Sequence, residues 1–322
     1  MRFGILSTAS IARDSMIPAI QKSDHEVAAI ASRDAERVTQ VAEDFGIQVS
    51  CGSYEDLFAV DVDAIYNPLP NALHAKWTER AADAGLDILC EKPLTTDAAV
   101  AVDLFEYCSD ASVTLMEGFM YRFHPQTERA HDIVTGELEQ IRSVDATFKF
   151  RLSEPSDIRY NPDLGGGALL DAGCYTVSAV RGFLGEPTRA YAHFTDTRDN
   201  GVDTEVTGIL EYDDGQTARV STGFDTSNVQ RYRVECVNGY LEVEDCFAPG
   251  TNETAITYAV DGREVTEVFS GVDQFRLEVE HFAECIAQDR TPRIDSEESI
   301  SNMRTLDALA ESATKGRPIH IT

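Results

Sequence analysis

Short apolar runs alternate with helix-like segments over the first part of the chain. Five runs have the length and composition of buried strands: RFGIL, EVAAIA, VDAIYN, DILCE and SVTLME. Segments with apolar residues three and four positions apart lie between them: AERVTQVAEDFG, HAKWTERAADAG and TDAAVAVDLFEYCSD. This alternation predicts βαβ units around a parallel sheet. Ligands of such sheets bind beyond the carboxyl ends of the strands, so the residues that follow each strand are the first candidates for chemistry.

The pattern changes after residue 120, where long segments alternate polar and apolar positions. They predict strands of a second sheet: SVDATFKFRL, TRAYAHFTDTR, EVTGILEYDDGQTARVSTGF, QRYRVECVNGYLEVEDC and ETAITYAVDGREVTEVF. Three turn pairs predict hairpins: Asp214-Gly215, Asn238-Gly239 and Asp261-Gly262. Helices are predicted at about 167–184, 274–289 and 296–314. We expect an α/β chain of two domains, 1–120 with a parallel sheet and 121–322 with a large, mostly antiparallel sheet that is open on one face.

The composition is strongly acidic. Asp and Glu number 56 against 27 Lys and Arg, which gives a formal net charge of −29, and only five of the cations are Lys. Two interpretations stay open: an ordinary acidic soluble protein, or a surface adapted to high salt, where self-repulsion is screened. Either one argues against nonspecific nucleic-acid binding, which needs a basic patch.

Seven Cys residues at wide spacings, with no C-x-x-C, argue against a disulfide framework and a zinc site, and we expect no metal. No secretory leader precedes the first strand and no apolar run approaches the length of a membrane span, so the expected location is the cytoplasm.

The turn after the first strand reads STASIA and holds no glycine. Aligned on the G-x-G-x-x-(G/A) dinucleotide fingerprint, Ser7 and Ala9 replace the first two glycines, and Ala12 keeps the third position. Small hydroxyl residues at a helix N-terminus can still hold a phosphate. The alternative is an ordinary helix capped by Ser or Thr. The candidate phosphate contacts are Ser7, Thr8, Ala9, Ser10 and Ile11.

The second strand ends in Ser32 and Arg33, where NAD sites usually carry an acid for the ribose hydroxyl. A hydroxyl and a guanidinium suit a 2′-phosphate, which favours NADP. The alternative is a surface Arg at the start of a helix capped by Asp34.

The ends of two later strands add candidate site residues. The fourth apolar run ends in Glu91-Lys92-Pro93, and because proline cannot continue the ladder, Lys92 should point out of the strand end. The alternative for Lys92 is a solvated surface charge. A proline-rich turn precedes the helix near residue 73 and could close over a nicotinamide; its candidate residues are Pro68, Leu69, Asn71 and His74. His74 has a capping or packing role as its alternative.

Five segments together carry a resemblance that extends over essentially the whole chain: GILSTASIA, SRDAERV, YNPLPNALHAKWTERAADAGLDILCEKPL, EGFMYRFHPQ and GGGALLDAGCYTV. The chain resembles the glucose–fructose oxidoreductase / inositol dehydrogenase (Gfo/Idh/MocA) family of NAD(P)-dependent sugar dehydrogenases. It looks most like the branch of NADP-dependent D-xylose 1-dehydrogenases and dihydrodiol dehydrogenases. With the acidic composition, the resemblance points to a haloarchaeal member. The glycine-free turn departs from the family pattern.

The resemblance implies a Rossmann domain followed by an α+β domain, whose open sheet face joins subunits and whose last helix packs back on the first domain. It implies NADP-dependent oxidation of an aldose, D-xylose first, at C1 to the lactone. The implied catalytic residues are Lys92, Asp171 and Tyr175, with Glu91 at the cofactor and Arg122 at the sugar. For Arg122 and His124, a structural cluster between the domains is the alternative.

Two kinds of rival function remain. The same fold and residues could oxidise glucose, a trans-dihydrodiol or an inositol. A non-catalytic regulator that binds the dinucleotide is a rival of another class, and retention of Lys92, Asp171 and Tyr175 argues against it.

Overall fold

Six short strands of the first part of the chain pair in a wholly parallel sheet, as predicted. The computed structural model describes residues 1–321, and the chain divides into two compact units: Met1–Phe119 with Phe275–Ser299, and Met120–Gln274 with the chain from Ile300 onward. The strands of the first unit are β1 Arg2–Leu6, β2 Glu26–Ala31, β3 Val49–Cys51, β4 Ala64–Asn67, β5 Asp87–Glu91 and β6 Leu115–Gly118. Their order in the sheet is β3-β2-β1-β4-β5-β6.

Helices separate these strands, and local sequence explains where they begin and end. Those between the strands are α1 Ile17–Gln21, preceded by a π-helical turn Ala12–Met16, α2 Ala35–Phe45, α3 Tyr54–Leu57, α4 His74–Asp83 and α5 Ala98–Asp110, and nearly all of a later helix, α8 Gln274–Ala287, belongs to the same unit. Asp34 accepts a hydrogen bond from Arg37 N–H and caps α2. The same helix ends at Gly46, whose φ of +68° favours glycine. β3 and α3 are too short for the hydrophobic pattern to have predicted them.

The core of the first unit lies against both faces of the sheet. All four residues of β4 are buried, as expected for a parallel strand that is covered on both sides. On one face, Trp77 of α4 packs edge-on against Tyr54, with ring centroids 4.9 Å apart.

The second unit holds a nine-stranded sheet. Its strands are β7 Ile141–Arg151, β8 Arg189–Thr195, β9 Glu205–Glu211, β10 Thr217–Gly223, β11 Asp225–Cys236, β12 Gly239–Glu244, β13 Thr254–Val260, β14 Arg263–Phe269 and β15 Ile319–His320. The order is β14-β13-β12-β11-β7-β10-β9-β8-β15. All neighbours are antiparallel except β7 and β10. The predicted hairpins form, and Asp261 and Gly262 both have positive φ, at +51° and +81°.

Helices cover one face of this sheet. They are α6 Pro125–Gly136, α7 Cys174–Leu184, which follows a π-helical turn Leu169–Gly173, and the greater part of α9 Ser296–Lys315. Leu309 of α9 fills the space over Gly208, where an added Cβ would lie 2.7 Å from the leucine. The sequence pattern did not predict α6.

The other face of the sheet is open, as the alternation predicted. Tyr191 of β8 and Ile209 of β9 are cross-strand neighbours and both are exposed. Within residues 1–321, no helix has both the length and the apolar character needed to cross a membrane.

Candidate active site

The STASIA turn adopts a conformation that glycine usually supplies. Ser7 follows β1 with a φ of +116°, and its N–H donates to the carbonyl of Ala31, 2.9 Å away. A non-glycine residue in this region is strained. The Ser7 hydroxyl partly offsets the strain by accepting a hydrogen bond from Ala9 N–H at 3.1 Å. The backbone therefore turns as a glycine fingerprint would, although the sequence has Ser at that position.

The helix after this turn begins with backbone N–H groups that have no intrahelical acceptor. Its first helical hydrogen bond runs from Arg13 N–H to the carbonyl of Ala9, so the N–H groups of Ser10, Ile11 and Ala12 precede the intrahelical ladder. Such groups, together with the positive end of the helix dipole, make an anion site. Thr8 beside them is buried. These features fit the pyrophosphate of a dinucleotide.

The end of β2 lies beside the same turn. Ser32 is buried and its hydroxyl accepts a hydrogen bond from Asp34 N–H at 3.2 Å. Arg33 is exposed. Asp34 does cap α2, as the alternative interpretation expected, and the neighbouring Arg33 side chain stays exposed.

Two further arginines, which the sequence analysis did not single out, reach the turn. Arg13 Nε and Arg37 Nη2 both donate to the carbonyl of Thr8, at 3.1 and 3.3 Å. In a chain with 27 cations against 56 acids, two guanidinium groups on the carbonyl of one turn residue are a notable concentration. Arg37 lies in the first turn of α2, directly after the strand end that carries Ser32 and Arg33, and this position was the usable sequence signal.

His74 ties two strand-end segments together. Its Nδ1 lies 2.9 Å from the carbonyl of Pro93, and its Nε2 lies 2.6 Å from the carbonyl of Leu69. Complete burial lowers the pKa of His74 to about 4. The side chain of Asn67 donates to the carbonyl of His74 at 3.2 Å. His74 thus packs between the proline-rich turn and the segment after Lys92, and its neutral ring, which carries one N–H, donates to one of the two carbonyls.

Lys92 follows the last residue of β5, and it is half-buried. The Glu91 carboxylate accepts hydrogen bonds from the Tyr66 hydroxyl at 2.7 Å and from Lys92 N–H at 3.3 Å. Glu91 is therefore a buried anchor of the strand end that carries the lysine.

Two other buried acids lie near Glu91, and the sequence analysis did not identify them. Burial raises the pKa of Glu117 on β6 to about 7, and burial, followed by the charge of Glu91, raises the pKa of Glu278 on α8 well above its usual value. Neither carboxyl oxygen of Glu278 has a hydrogen-bond partner within residues 1–321. Perturbed carboxyls of this kind often accompany functional sites.

In the second unit, Tyr175 is held rigidly. Its ring lies edge-on to Tyr121 and Phe148 and tilted against Phe247, with centroid distances of 5.8, 5.4 and 5.6 Å. Its hydroxyl lies 3.2 Å from the sulfur of Met120. The side chain has little conformational freedom, as expected of a group that must hold one orientation.

Asp171 lies one turn before Tyr175 and is ion-paired. Arg159 Nε lies 2.9 Å from Asp171 Oδ2, and the carboxylate raises the pKa of Arg159 above its ordinary value. Arg159 was not among the predicted residues. Its only sequence signal was a rare cation shortly before the three-glycine segment.

Arg122 and His124 have different surroundings. Arg122 Nη1 lies 3.4 Å from the Ser178 hydroxyl of α7. His124 is buried and its Nδ1 accepts a hydrogen bond from Gln126 N–H at 3.1 Å, so it caps α6. His124 therefore has a structural role in the second unit. Across residues 1–321, no three His, Cys, Asp or Glu side chains are grouped as metal ligands would be.

Two family models cover most of the chain. Residues 1–119 match the oxidoreductase family with an NAD-binding Rossmann fold, and residues 127–242 match the GFO/IDH/MocA C-terminal domain. The chain belongs to the GFO/IDH/MocA oxidoreductase family. The resemblance inferred from the motifs is confirmed, and so is the predicted fold class.

Individual relatives of this family align over nearly the full length. The D-xylose 1-dehydrogenase (NADP(+)) 2 of Haloferax volcanii is 55% identical, and the alignment covers 100% of both chains. The crystal structure of a 3-ketoreductase from Actinomadura kijaniata with NADP and TDP-benzene is 34% identical, with a TM-score of 0.92 and 97% of each chain covered. An aldose-aldose oxidoreductase from Caulobacter crescentus, complexed with glycerol, is 27% identical with a TM-score of 0.92 over 99% of each chain.

Proposed function

We propose that this protein catalyses the NADP-dependent oxidation of D-xylose at C1 to the aldonolactone. The observation that carries the proposal is the full-length 55% identity to an NADP-dependent D-xylose 1-dehydrogenase. The Ser32-Arg33 strand end, which replaces the acid of NAD sites, agrees with it. Residues 1–120 would bind NADP, and residues 121–322 would bind the sugar and form the contacts between subunits.

In this proposal the first unit binds the dinucleotide through strand-end residues. Backbone N–H groups and hydroxyls of the STASIA turn hold the pyrophosphate, and Ser32 and Arg33, with Arg37 beside them, hold the 2′-phosphate. The remaining cofactor contacts are assigned to the proline-rich turn that leads to His74 and to the end of β5. The full set is Ser7, Thr8, Ala9, Ser10, Ile11, Ser32, Arg33, Pro68, Leu69, Asn71, His74, Glu91 and Lys92.

The chemistry is assigned to Tyr175, Lys92 and Asp171. NADP⁺, when bound, supplies the hydride acceptor for C1. Tyr175 as phenolate takes the proton of the C1 hydroxyl, and the ammonium of Lys92 favours the phenolate over the phenol. Asp171 orients the sugar hydroxyls, since a carboxylate accepts more than one hydrogen bond. Arg122 is proposed as a further sugar contact.

The variant Lys92→Met tests this assignment. We expect kcat with D-xylose to fall by about 100-fold or more, because the proton acceptor loses the charge that activates it. NADPH binding, measured by cofactor fluorescence, should persist. The matched control is Lys76→Met, which removes another lysine of the same unit from an exposed position on α4. Near-normal turnover by Lys92→Met would contradict the mechanism.

Initial rates across substrates test the function itself. We expect kcat/KM with NADP⁺ to be higher for D-xylose than for glucose, a trans-dihydrodiol or an inositol. A different order would reassign the substrate while keeping the mechanism, and the absence of NADPH formation with every compound would favour a dinucleotide-binding regulator.

The same assays at low and high salt test the proposal of salt adaptation. The net charge of −29 should cause self-repulsion that salt screens, so activity and thermal stability should both rise with salt. We propose in addition that the protein works in the cytoplasm, with the cellular NADP pool as its oxidant.

We also propose that the open sheet face joins subunits in a homo-oligomer. Exposed apolar residues and paired charges on one face, such as the Arg233–Glu242 pair at 2.6 Å, are suited to an interface. The variant Ile209→Glu should lower the mass measured by light scattering. An unchanged mass, or a wild-type monomer, would refute this assembly.

A further inference from the structure

Asp203 contacts the helix start that leads to Asp171 and Tyr175. It lies in the loop before β9, and its backbone carbonyl accepts a hydrogen bond from Ala168 N–H at 2.9 Å. Its carboxylate oxygen Oδ2 accepts a second one from Leu169 N–H at 2.6 Å. A carboxylate at this place satisfies an N–H that has no intrahelical acceptor and interacts favourably with the helix dipole.

The glycine before the helix leaves room for this carboxylate. Gly167 has a φ of +118°, and an added Cβ would lie 2.5 Å from Asp203 Oδ1. Its N–H donates to the carbonyl of Arg159 at 2.9 Å. The three-glycine segment therefore packs closely against Asp203 and against the turn whose arginine holds Asp171.

We propose that Asp203 is a positioning residue for the proposed oxidation: its carboxylate fixes the first turn of the helix that carries Asp171 and Tyr175, and removal of that carboxylate loosens the turn and lowers turnover. The expected effect of Asp203 on turnover rests on the proposed function, whereas its expected effect on the helix does not.

The charge state of Asp203 is set by its surroundings. Burial raises the pKa of Asp203 to about 6, with a smaller contribution from the charge of Asp196, while the Leu169 N–H bond opposes the rise. Charged groups on neighbouring segments form ion pairs: Arg159 with Asp171 and with Asp157, Lys149 with Glu205, and Arg198 with Asp225. Asp203 is therefore ionised near neutral pH and becomes protonated as the pH falls through about 6.

The first test is the pH profile of kcat with saturating D-xylose and NADP⁺. Wild type should show an acid-side inflection near pH 6. The variant Asp203→Asn is neutral at every pH, so its profile should lose the inflection and its kcat should stay near the acid-side value of wild type. Asp203→Ala should lower kcat by about tenfold or more, because it removes a hydrogen bond to a charged group. The KM for NADP⁺ should not change.

The matched control is Asp196→Asn. Asp196 accepts backbone hydrogen bonds from Arg198 and Gly201 in its own loop, so the variant removes an acid of the same neighbourhood that does not contact the helix. It should keep the inflection. An inflection that persists unchanged in Asp203→Asn, or a wild-type kcat in Asp203→Ala, would overturn the proposal.

Hydrogen exchange gives a readout that does not depend on activity. Protection factors of the amides in 169–173 should fall in Asp203→Ala, and in wild type below pH 6, but should not vary with pH in Asp203→Asn. If wild type oxidises no sugar, the proposed function fails while exchange still decides whether Asp203 holds the helix. Equal protection in all variants refutes the positioning role, whatever the substrate.

Discussion

Replacing Glu117 with Gln should remove a pH dependence from the stability of the protein. Glu117 lies on β6 and is 1% exposed, and its Oε1 accepts a hydrogen bond from Leu94 N–H at 2.8 Å. The amide oxygen of Gln can accept the same bond. The substitution therefore changes the ability to ionise with little change in shape.

The size and sign of the change in the free energy of unfolding follow from the pKa of Glu117. Burial raises the pKa of Glu117 from 4.5 to about 7, and each unit of pKa is worth about 1.4 kcal/mol. Between pH 4.5 and about pH 7, the folded protein binds more protons than the unfolded chain. The stabilisation that protonated Glu117 provides is complete below pH 4.5 and is lost as the pH rises through 7. The loss amounts to about 3 kcal/mol.

Urea unfolding of wild type and Glu117→Gln, at fixed salt over this pH range, measures the effect. The free energies of unfolding should be similar at the acid end, and the variant should be more stable by about 3 kcal/mol at the alkaline end. The control is the exposed Glu43→Gln on α2, for which the difference from wild type should not vary with pH. A parallel pair of curves for wild type and Glu117→Gln would show that Glu117 is ionised throughout.

Two further predictions concern the cofactor and the glycine segment. Arg33→Ala and Arg37→Ala should each raise KM for NADP⁺ about tenfold relative to KM for NAD⁺, because each removes a charged group proposed to bind the 2′-phosphate. Equal effects on both cofactors in initial-rate assays would rule this role out. Gly167→Ala should lower the melting temperature more than Gly46→Ala does. Both positions have positive φ, but only Gly167 would place a Cβ against a carboxylate oxygen, 2.5 Å from Asp203, so equal shifts in calorimetry would argue against the clash.

Most regular elements were predictable because each has a strong local pattern. Continuous apolar runs such as DILCE became the buried strands of the parallel sheet, and Asp-Gly pairs became the turns of hairpins. The short β3 and α3 carry too few residues for a period to show. The parallel pairing of β7 and β10 could not be predicted, since register between distant strands depends on the packing of the whole sheet.

The residues of the candidate site also divide into those that local sequence predicts and those that it does not. Ser7 at the turn, Arg33 at the strand end and Lys92 before a proline were predicted because they directly follow predicted strands. Arg37, Arg159 and the buried acids Glu117 and Glu278 were missed. Their importance comes from partners distant in sequence, which no local pattern records.

By itself, the sequence determined which segments form strands and helices, which residues stand at the strand ends, and the family to which the chain belongs. These properties depend on hydrophobic period, turn residues and motif spacing, which are local. The tertiary structure decided the conformation and surroundings of individual residues. Ser7 takes a backbone conformation that glycine usually supplies, His74 is buried between two carbonyls, and Asp203 contacts the start of a helix. Burial and distant partners set strain, charge and orientation, and they exist only once the chain has folded.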